Sequence, residues 1–284
     1  MSIGVPSELH PQLSRKISGF ETEWKRIGAQ TRFYAKTLTS IPDAVIHYPK
    51  EILRLIAQMG LGSGALAIIG GTVAIIGFLT FTTGAVVAVQ GYTQLSQVGF
   101  EAFTGFASAF FNVRFIVVGT VAVALSATIG AGATAQIGAM RINEEIDALE
   151  VIGIRSITYL ASTRVLAGVI VIIPIYCIAL IMAFVSTRVG TTVFYGQGSG
   201  VYDHYFNTFL NPNDVIWSFF QQVAITVVIM LVHTFYGYTA KGGPAGVGEA
   251  VGRAVRTSMI IAALVIVMLA LAIYGQTGNF NLAG

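Results

Sequence analysis

The distribution of charge along the chain constrains its fold more than any other feature. Between Arg54 and Arg114 the only charged residue is Glu101, and none occurs in 115–140, 165–187, 215–240 or 257–284. A helix needs about 20 mostly apolar residues to cross the hydrocarbon core of a bilayer. The gaps therefore predict five membrane-spanning helices, near 64–89, 106–131, 166–185, 215–236 and 259–274. Spanning strands would alternate polar and apolar residues, whereas Val169-Ile170-Val171-Ile172-Ile173 is apolar throughout. The expected fold is all-α and integral to the membrane.

Composition excludes the main alternatives. Of 284 residues, 55% are hydrophobic and 10% charged, against about 25% charged in soluble domains. Such a chain is not a soluble enzyme, a nucleic-acid-binding domain or a disordered segment, so no nucleic-acid partner is expected, and where its charges lie matters more than their sum of +3. Cys177, the only cysteine, rules out an internal disulfide and a cysteine-based metal site. His10, His47 and His204 show no ligand spacing, so no metal or other cofactor is expected.

Lysine and arginine placement sets the orientation. Eight precede the first span: Arg15, Lys16, Lys25, Arg26, Arg32, Lys36, Lys50 and Arg54. Arg141, Arg155 and Arg164 follow the second span, and Lys241, Arg253 and Arg256 follow the fourth. Fourteen of 16 thus fall on one side, with Arg114 and Arg188 on the other. This predicts a cytoplasmic N-terminus and an extracytoplasmic C-terminus. The first sixty residues lack an early apolar run, so no signal peptide is expected.

Two faces stand out. Ile17, Phe20, Trp24, Ile27, Thr31, Tyr34 and Leu38 recur at spacings of three and four, which predicts a basic amphipathic helix at the membrane interface. The segment 1–60 thus reads as cytoplasmic and interfacial, and 61–284 as the membrane domain. In the first span Ser63, Ala67, Gly70, Ala74, Gly77, Gly84, Ala88 and Gly91 form a seam of small residues, broken by Phe81. Such a seam lets helix backbones approach closely, within one subunit or across a dimer.

The connection after the second span carries the most information. Four acids, Glu144, Glu145, Asp147 and Glu150, fall within seven positions. Asn143 is placed to cap a helix whose first turn holds Glu144 and Glu145. Ile142, Ile146, Leu149 and Ile152 or Gly153 then line one face of a short helix over about 142–153. No cleft residues accompany the carboxylates, so a docking helix for a cytosolic partner fits better than acid–base chemistry.

Glu144-Glu145-x-Asp147-Ala148-Leu149-x-x-x-Gly153 follows the small-residue stretch Gly130-Ala131-Gly132-Ala133-Thr134-Ala135-Gln136 and precedes Tyr159-Leu160 and Arg164. This pattern resembles the MlaE/YrbE permeases, the membrane subunits of bacterial ABC transporters that work with Mce lipid-binding proteins. The resemblance covers nearly the whole chain. It implies that Glu144, Glu145, Asp147, Ala148, Leu149 and Gly153 couple to a cytosolic ATPase. Tyr202-Asp203-His204-Tyr205-Phe206 and Gly278-Asn279-Phe280-Asn281-Leu282 look like a B-type YrbE. Ala131, Gln136 and Arg155-Ser156 depart from the residues common in the family, which implies a heterodimer with an A-type YrbE. The resemblance also implies the bacterial inner membrane, extracytoplasmic Mce partners and a lipid substrate.

The residues agree that ATP is hydrolysed elsewhere, because no lysine fits a G-x-x-x-x-G-K-[ST] loop. Charge-free spans suit a hydrophobic substrate better than an ion or a sugar. A membrane scaffold that transports nothing is the main rival, and a proton-coupled transporter a weaker one. His233, inside the fourth span, reads as a packing histidine ahead of a proton relay. Tyr202, Tyr205, Phe206 and Phe209, in the external 188–214 connection, read equally as interfacial anchors or as a dock for an extracytoplasmic partner.

Overall fold

The computed structural model describes residues 27–62 and 71–274, and every regular element among them is helical. Ile17, Phe20 and Trp24 of the predicted stripe, Ser63, Ala67 and Gly70 of the seam, and Asn281 lie outside the described residues. Three short helices come first: α1 (27–39), α2 (Ile41–His47) and α3 (Pro49–Leu61). Pro42 and Pro49 stand in the first turns of α2 and α3, where a missing N–H costs nothing, and so divide the segment. α3 buries Ile52, Leu55 and Met59 and leaves Lys50, Leu53 and Arg54 outward. In α1 the docked face is Phe33, Tyr34 and Thr37, while Ile27, Thr31 and Leu38 of the predicted stripe are exposed. The reason is an aromatic contact of Phe33 with Phe235, at 5.5 Å, and a hydrogen bond from Ser162 Oγ to the Thr37 carbonyl, at 2.7 Å.

Next come α4 (Gly71–Ser96) and α5 (Glu101–Ile142), then the short α6 (Glu145–Val151). α7 (Thr158–Phe194), α8 (Ser199–Phe209), α9 (Pro212–Tyr238) and α10 (Gly243–Tyr274) complete the described chain. Five of these, α4, α5, α7, α9 and α10, are long and apolar enough to cross a membrane. They outrun the predicted spans because a helix continues past the hydrocarbon into the charged interface. At about 1.5 Å per residue α5 is on the order of 60 Å long, twice the hydrocarbon core.

Two long helices change their winding. α5 turns to π geometry over Ser108–Ile116 and Ser126–Gly130, and α7 over Thr158–Ser162 and Gly190–Phe194. Each π segment rotates the residues that follow onto a new face.

α7 is the axis of the bundle: α4, α9 and α3 all pack along it. Its contact with α4 is the closest. A Cβ added at Gly84 would lie 2.5 Å from the Ala183 carbonyl oxygen, so only glycine fits there. Thr187 Oγ1 also donates to the Gly84 carbonyl at 2.9 Å. Gly77, Gly84 and Ala88 are buried on this line, so the seam closes within one chain. Ala74 is exposed, which corrects its place in the seam, and buried Thr80 fills the slot that Phe81 leaves by facing outward.

Gly84→Leu is expected to cost more than the roughly 1–3 kcal/mol of ordinary overpacking, because the obstacle is backbone. Monodisperse yield of the purified chain should collapse, whereas Ala74→Leu, on the exposed side, should change stability by about 0.5 kcal/mol or less. Normal yield of the Gly84 variant would contradict the close contact.

Candidate functional site

The α5–α6 connection at the basic end is built differently from the expected helix. α5 continues to Ile142, Asn143 ends it, and α6 runs only from Glu145 to Val151, seven residues. Asn143 therefore closes one helix instead of capping the next. Glu144 precedes α6 with φ +62°, a left-handed conformation that reverses the chain and that non-glycine residues seldom adopt. It is a turn residue, not a first-turn residue. Gly153, at φ +82°, closes the far side, where the Ile154 N–H donates to the Leu149 carbonyl at 2.9 Å.

The side chains then divide by role. Ile146 is fully buried with Ile137 and Leu160, and Leu149 packs beside them. Asp147 pairs with Arg141 at 2.7 Å. Glu150 accepts from Ser156 Oγ and, at 3.3 Å, from the Tyr238 hydroxyl, which fastens the segment to α9. Arg155 pairs with Asp43 of α2 at 3.0 Å. Asp147 and Glu150 keep exposed surface nonetheless, and beside them Glu144, Glu145 and Ala148 face outward with an apolar pair, Val151 and Ile152, 87% and 71% exposed. Ile152 was expected on the inner face. Gly153, the alternative for that position, is exposed too: α6 ends at Val151, so both lie in the turn that follows it, and periodicity does not reveal where a helix ends.

At the opposite end the four aromatics of α8 turn inward. Tyr202 is buried, Tyr205 lies 4.6 Å from Phe103, Phe206 5.1 Å from Phe184, and Phe209 4.8 Å from Phe106, centroid to centroid. They clamp α8 onto α5 and α7, with Tyr205, Phe206 and Phe209 still partly exposed. Burial also pushes the Tyr202 phenol up to about 12. The exposed apolar residues at this end include Val98, Phe100, Val193 and Phe194. Both arginines here are paired, Arg188 with Asp203 at 2.8 Å and Arg114 with Asp214 at 2.7 Å. Arg188 holds the Asp203 carboxyl below the usual carboxylate range. The Arg114 guanidinium also lies over the Phe110 and Tyr274 rings, 4.1 and 4.6 Å from their centroids.

Between α4 and the first part of α5 lies an open groove of about 450 Å³. Val86, Val87, Leu95, Phe106 and Phe111 line it, with Gln90 and Gln94 along one side. Its α5 wall includes part of the π segment, which Asn112 fastens to α7 by donating to Thr187 Oγ1 at 3.2 Å. An apolar trough with amides on its border accepts a hydrocarbon chain better than a polar solute.

His233 is fully buried at the meeting of α5, α9 and α10. Nδ1 lies 2.8 Å from Thr134 Oγ1, and Nε2 lies 3.1 Å from both Ser126 Oγ and Ser258 Oγ. Both ring nitrogens are thus engaged, as a packing histidine requires. Arg164, counted from sequence among the basic-end cations, is buried and donates to the Leu160 carbonyl and, at 3.4 Å, to Gln136 Oε1. No sequence signal distinguishes it from a surface arginine.

Removing one bond of the α6 fastening should loosen it alone. Tyr238→Phe is expected to weaken the segment by about 1 kcal/mol, read as roughly fivefold faster amide hydrogen exchange over Glu145–Val151 with α9 unchanged. Equal exchange in the two proteins would show that the Glu150 contacts do not hold the segment.

Comparison with known proteins places this geometry. Residues 62–273 match the family model described as Permease MlaE. A protein of Rickettsia bellii named Probable ABC transporter permease protein is 29% identical over 83% of this chain and 87% of its own length. A Rickettsia prowazekii protein with that same description is 30% identical over 66% of this chain and 72% of its own. Protein TRIGALACTOSYLDIACYLGLYCEROL 1, chloroplastic, of Arabidopsis thaliana is 24% identical over 49% of this chain and 39% of its own.

Proposed function

The chain belongs to the MlaE permease family, and from that premise we propose that it moves a lipid along the groove between α4 and α5. It is a multi-pass membrane protein of the ABC transporter permease type. The observation that carries the lipid reading is the groove itself, about 450 Å³ and walled by apolar side chains. A lipid chain already lies in hydrocarbon in the bilayer, so the groove holds it by packing contacts along its walls and not by transfer out of water. The name of the Arabidopsis relative, which contains that of a galactosyl diacylglycerol, supports the same class of substrate.

The basic end faces the cytoplasm in this reading, in a bacterial inner membrane, with 1–60 at the interface and 61–284 crossing the bilayer. The placement of 14 of the 16 lysines and arginines at that end supports it. A separate cytosolic ATPase docks on α6. Glu144 and Glu145 offer it charge, Ala148, Val151 and Ile152 an apolar contact, and Leu149, Asp147 and Gly153 hold the shape. A second YrbE-type subunit completes the membrane part, and Mce proteins meet the opposite end at the exposed Val98, Phe100, Val193 and Phe194.

Filling the groove tests the substrate. Val86 is exposed on its wall, so Val86→Trp should fold normally. The indole takes the space that a chain needs, and ATP-dependent lipid transport by the assembled complex should fall about tenfold, as a loss of about 1.4 kcal/mol of binding would cause. Unchanged transport would move the lipid path elsewhere. Docking is tested separately: Glu145→Ala with Val151→Asp should reduce recovered ATPase about fivefold or more in pull-downs at equal expression. Asp147→Ala alone should act less, because its carboxylate is already held by Arg141. Full recovery by the double variant would place the contact outside α6.

A further inference from the structure

A second cavity, of about 270 Å³, lies between α3, α4 and α5 in the basic half of the bundle. It shares no lining residue with the α4–α5 groove. Leu55, Met59, Ile75 and Ile129 form an apolar wall, and Gln58 and Gln136 supply the amides. None of the described residues that line it is charged.

The amides define what the cavity can hold. Gln58 Oε1 is buried and has no hydrogen-bond partner among the described residues. A buried acceptor without a donor costs about 1–3 kcal/mol, so a molecule that donates there stabilises the site. The carbonyl of Gln136 is already taken by Arg164, whose guanidinium donates to it at 3.4 Å. What remains of Gln136 is its amide N–H₂, a donor. Among the described lining residues the cavity thus presents the Gln58 and Gln136 amides and the hydroxyls of Thr72 and Thr128 beside a hydrocarbon wall, and the Gln58 carbonyl is the acceptor left without a donor. A hydroxyl can give a proton to that carbonyl and accept one from an amide N–H₂. A phosphodiester has no proton to give to Gln58, and a carboxylate would leave its charge without a cation in the lining.

We propose that this cavity binds the head of a neutral, hydroxyl-bearing lipid from the leaflet at the basic end, with its hydroxyl between Gln58 and Gln136 and its hydrocarbon against Leu55, Met59, Ile75 and Ile129. α3 carries Lys50 and Arg54 outward and Leu55 and Met59 inward, so the cavity lies just below the polar interface where such a head resides. The site rests on the lipid reading above only in taking its ligand to be a lipid. It is a separate place on the chain.

The test uses the full chain with its partner subunits in vesicles that contain equal mole fractions of photoreactive diacylglycerol or photoreactive phosphatidylcholine, one per sample. After illumination, labelled peptides are mapped by mass spectrometry. Diacylglycerol should label peptides containing Leu55–Met59 and Ile129–Gln136, and phosphatidylcholine, whose phosphodiester head has no proton to donate, should not label them. Gln58→Leu, which keeps the bulk and removes the acceptor, should lower that label about fivefold to tenfold. Gly132→Leu gives a second route: a Cβ at Gly132 meets nothing within 4 Å, so the leucine enters the cavity without displacing backbone. It should lower the label as well. Labelling of Val86–Leu95 in the α4–α5 groove reports folding of both variants, and its loss with the inner label intact would count against the transport path and not against this site. Equal labelling by the two lipids, no inner label in the wild type, or an unchanged label in Gln58→Leu would each overturn the proposal.

Discussion

Lipid offers the chain no hydrogen bonds, and that constraint shapes everything else. Each backbone amide in the hydrocarbon must find its partner within its own helix. Once the helices exist, the hydrophobic effect no longer distinguishes one helix face from another, since lipid is as apolar as leucine. Packing and buried polar contacts decide the arrangement instead. Gly84 against Ala183 and the Thr187 bond to the Gly84 carbonyl fix α4 on α7. The Asn112 bond to Thr187 fixes α5 to the same place. His233 with Ser126, Ser258 and Thr134 does likewise for α5, α9 and α10. The groove between α4 and α5 is the space these contacts leave open.

The two ends of the bundle are held by different means. At the end with two arginines, both are paired and aromatic rings clamp α8, so the surface is apolar and nearly neutral. At the basic end short helices joined by prolines lie against the bundle, and ion pairs such as Arg155 with Asp43 tie them to the α6 connection. A force applied at α6 meets α5 directly, through the turn at Glu144, and α9 through Glu150 and Tyr238. α5 is also a wall of the groove. One helix thus joins the docking surface to the proposed path of the substrate.

How much of this was legible in the sequence follows from what each signal measures. Gaps in charge report hydrophobic length, so they disclosed five membrane helices and the family resemblance agreed. They do not report where a helix stops, and all five run past the predicted limits. Small-residue spacing marked Gly77, Gly84 and Ala88 correctly, and misplaced Ala74 because a fixed alternation does not follow the turn of a real interface. Periodicity placed Ile146 and Leu149 on the inner face of α6 but not the end of that helix before Ile152, and spacing alone did not name the α5 and α7 rings against which the α8 aromatics pack. The π turns in α5 and α7, the burial of Arg164 and the left-handed Glu144 depend on tertiary contacts alone.

The central claim is that lipid in the groove and ATPase at the basic end act as one machine through this chain. Reconstituting the complete complex in vesicles and following a fluorescent lipid between donor and acceptor membranes measures it directly. Lipid movement should require both ATP and the ATPase and should stop when either is withheld. Movement at an equal rate without the ATPase, or ATP turnover with no lipid moved, would contradict the account.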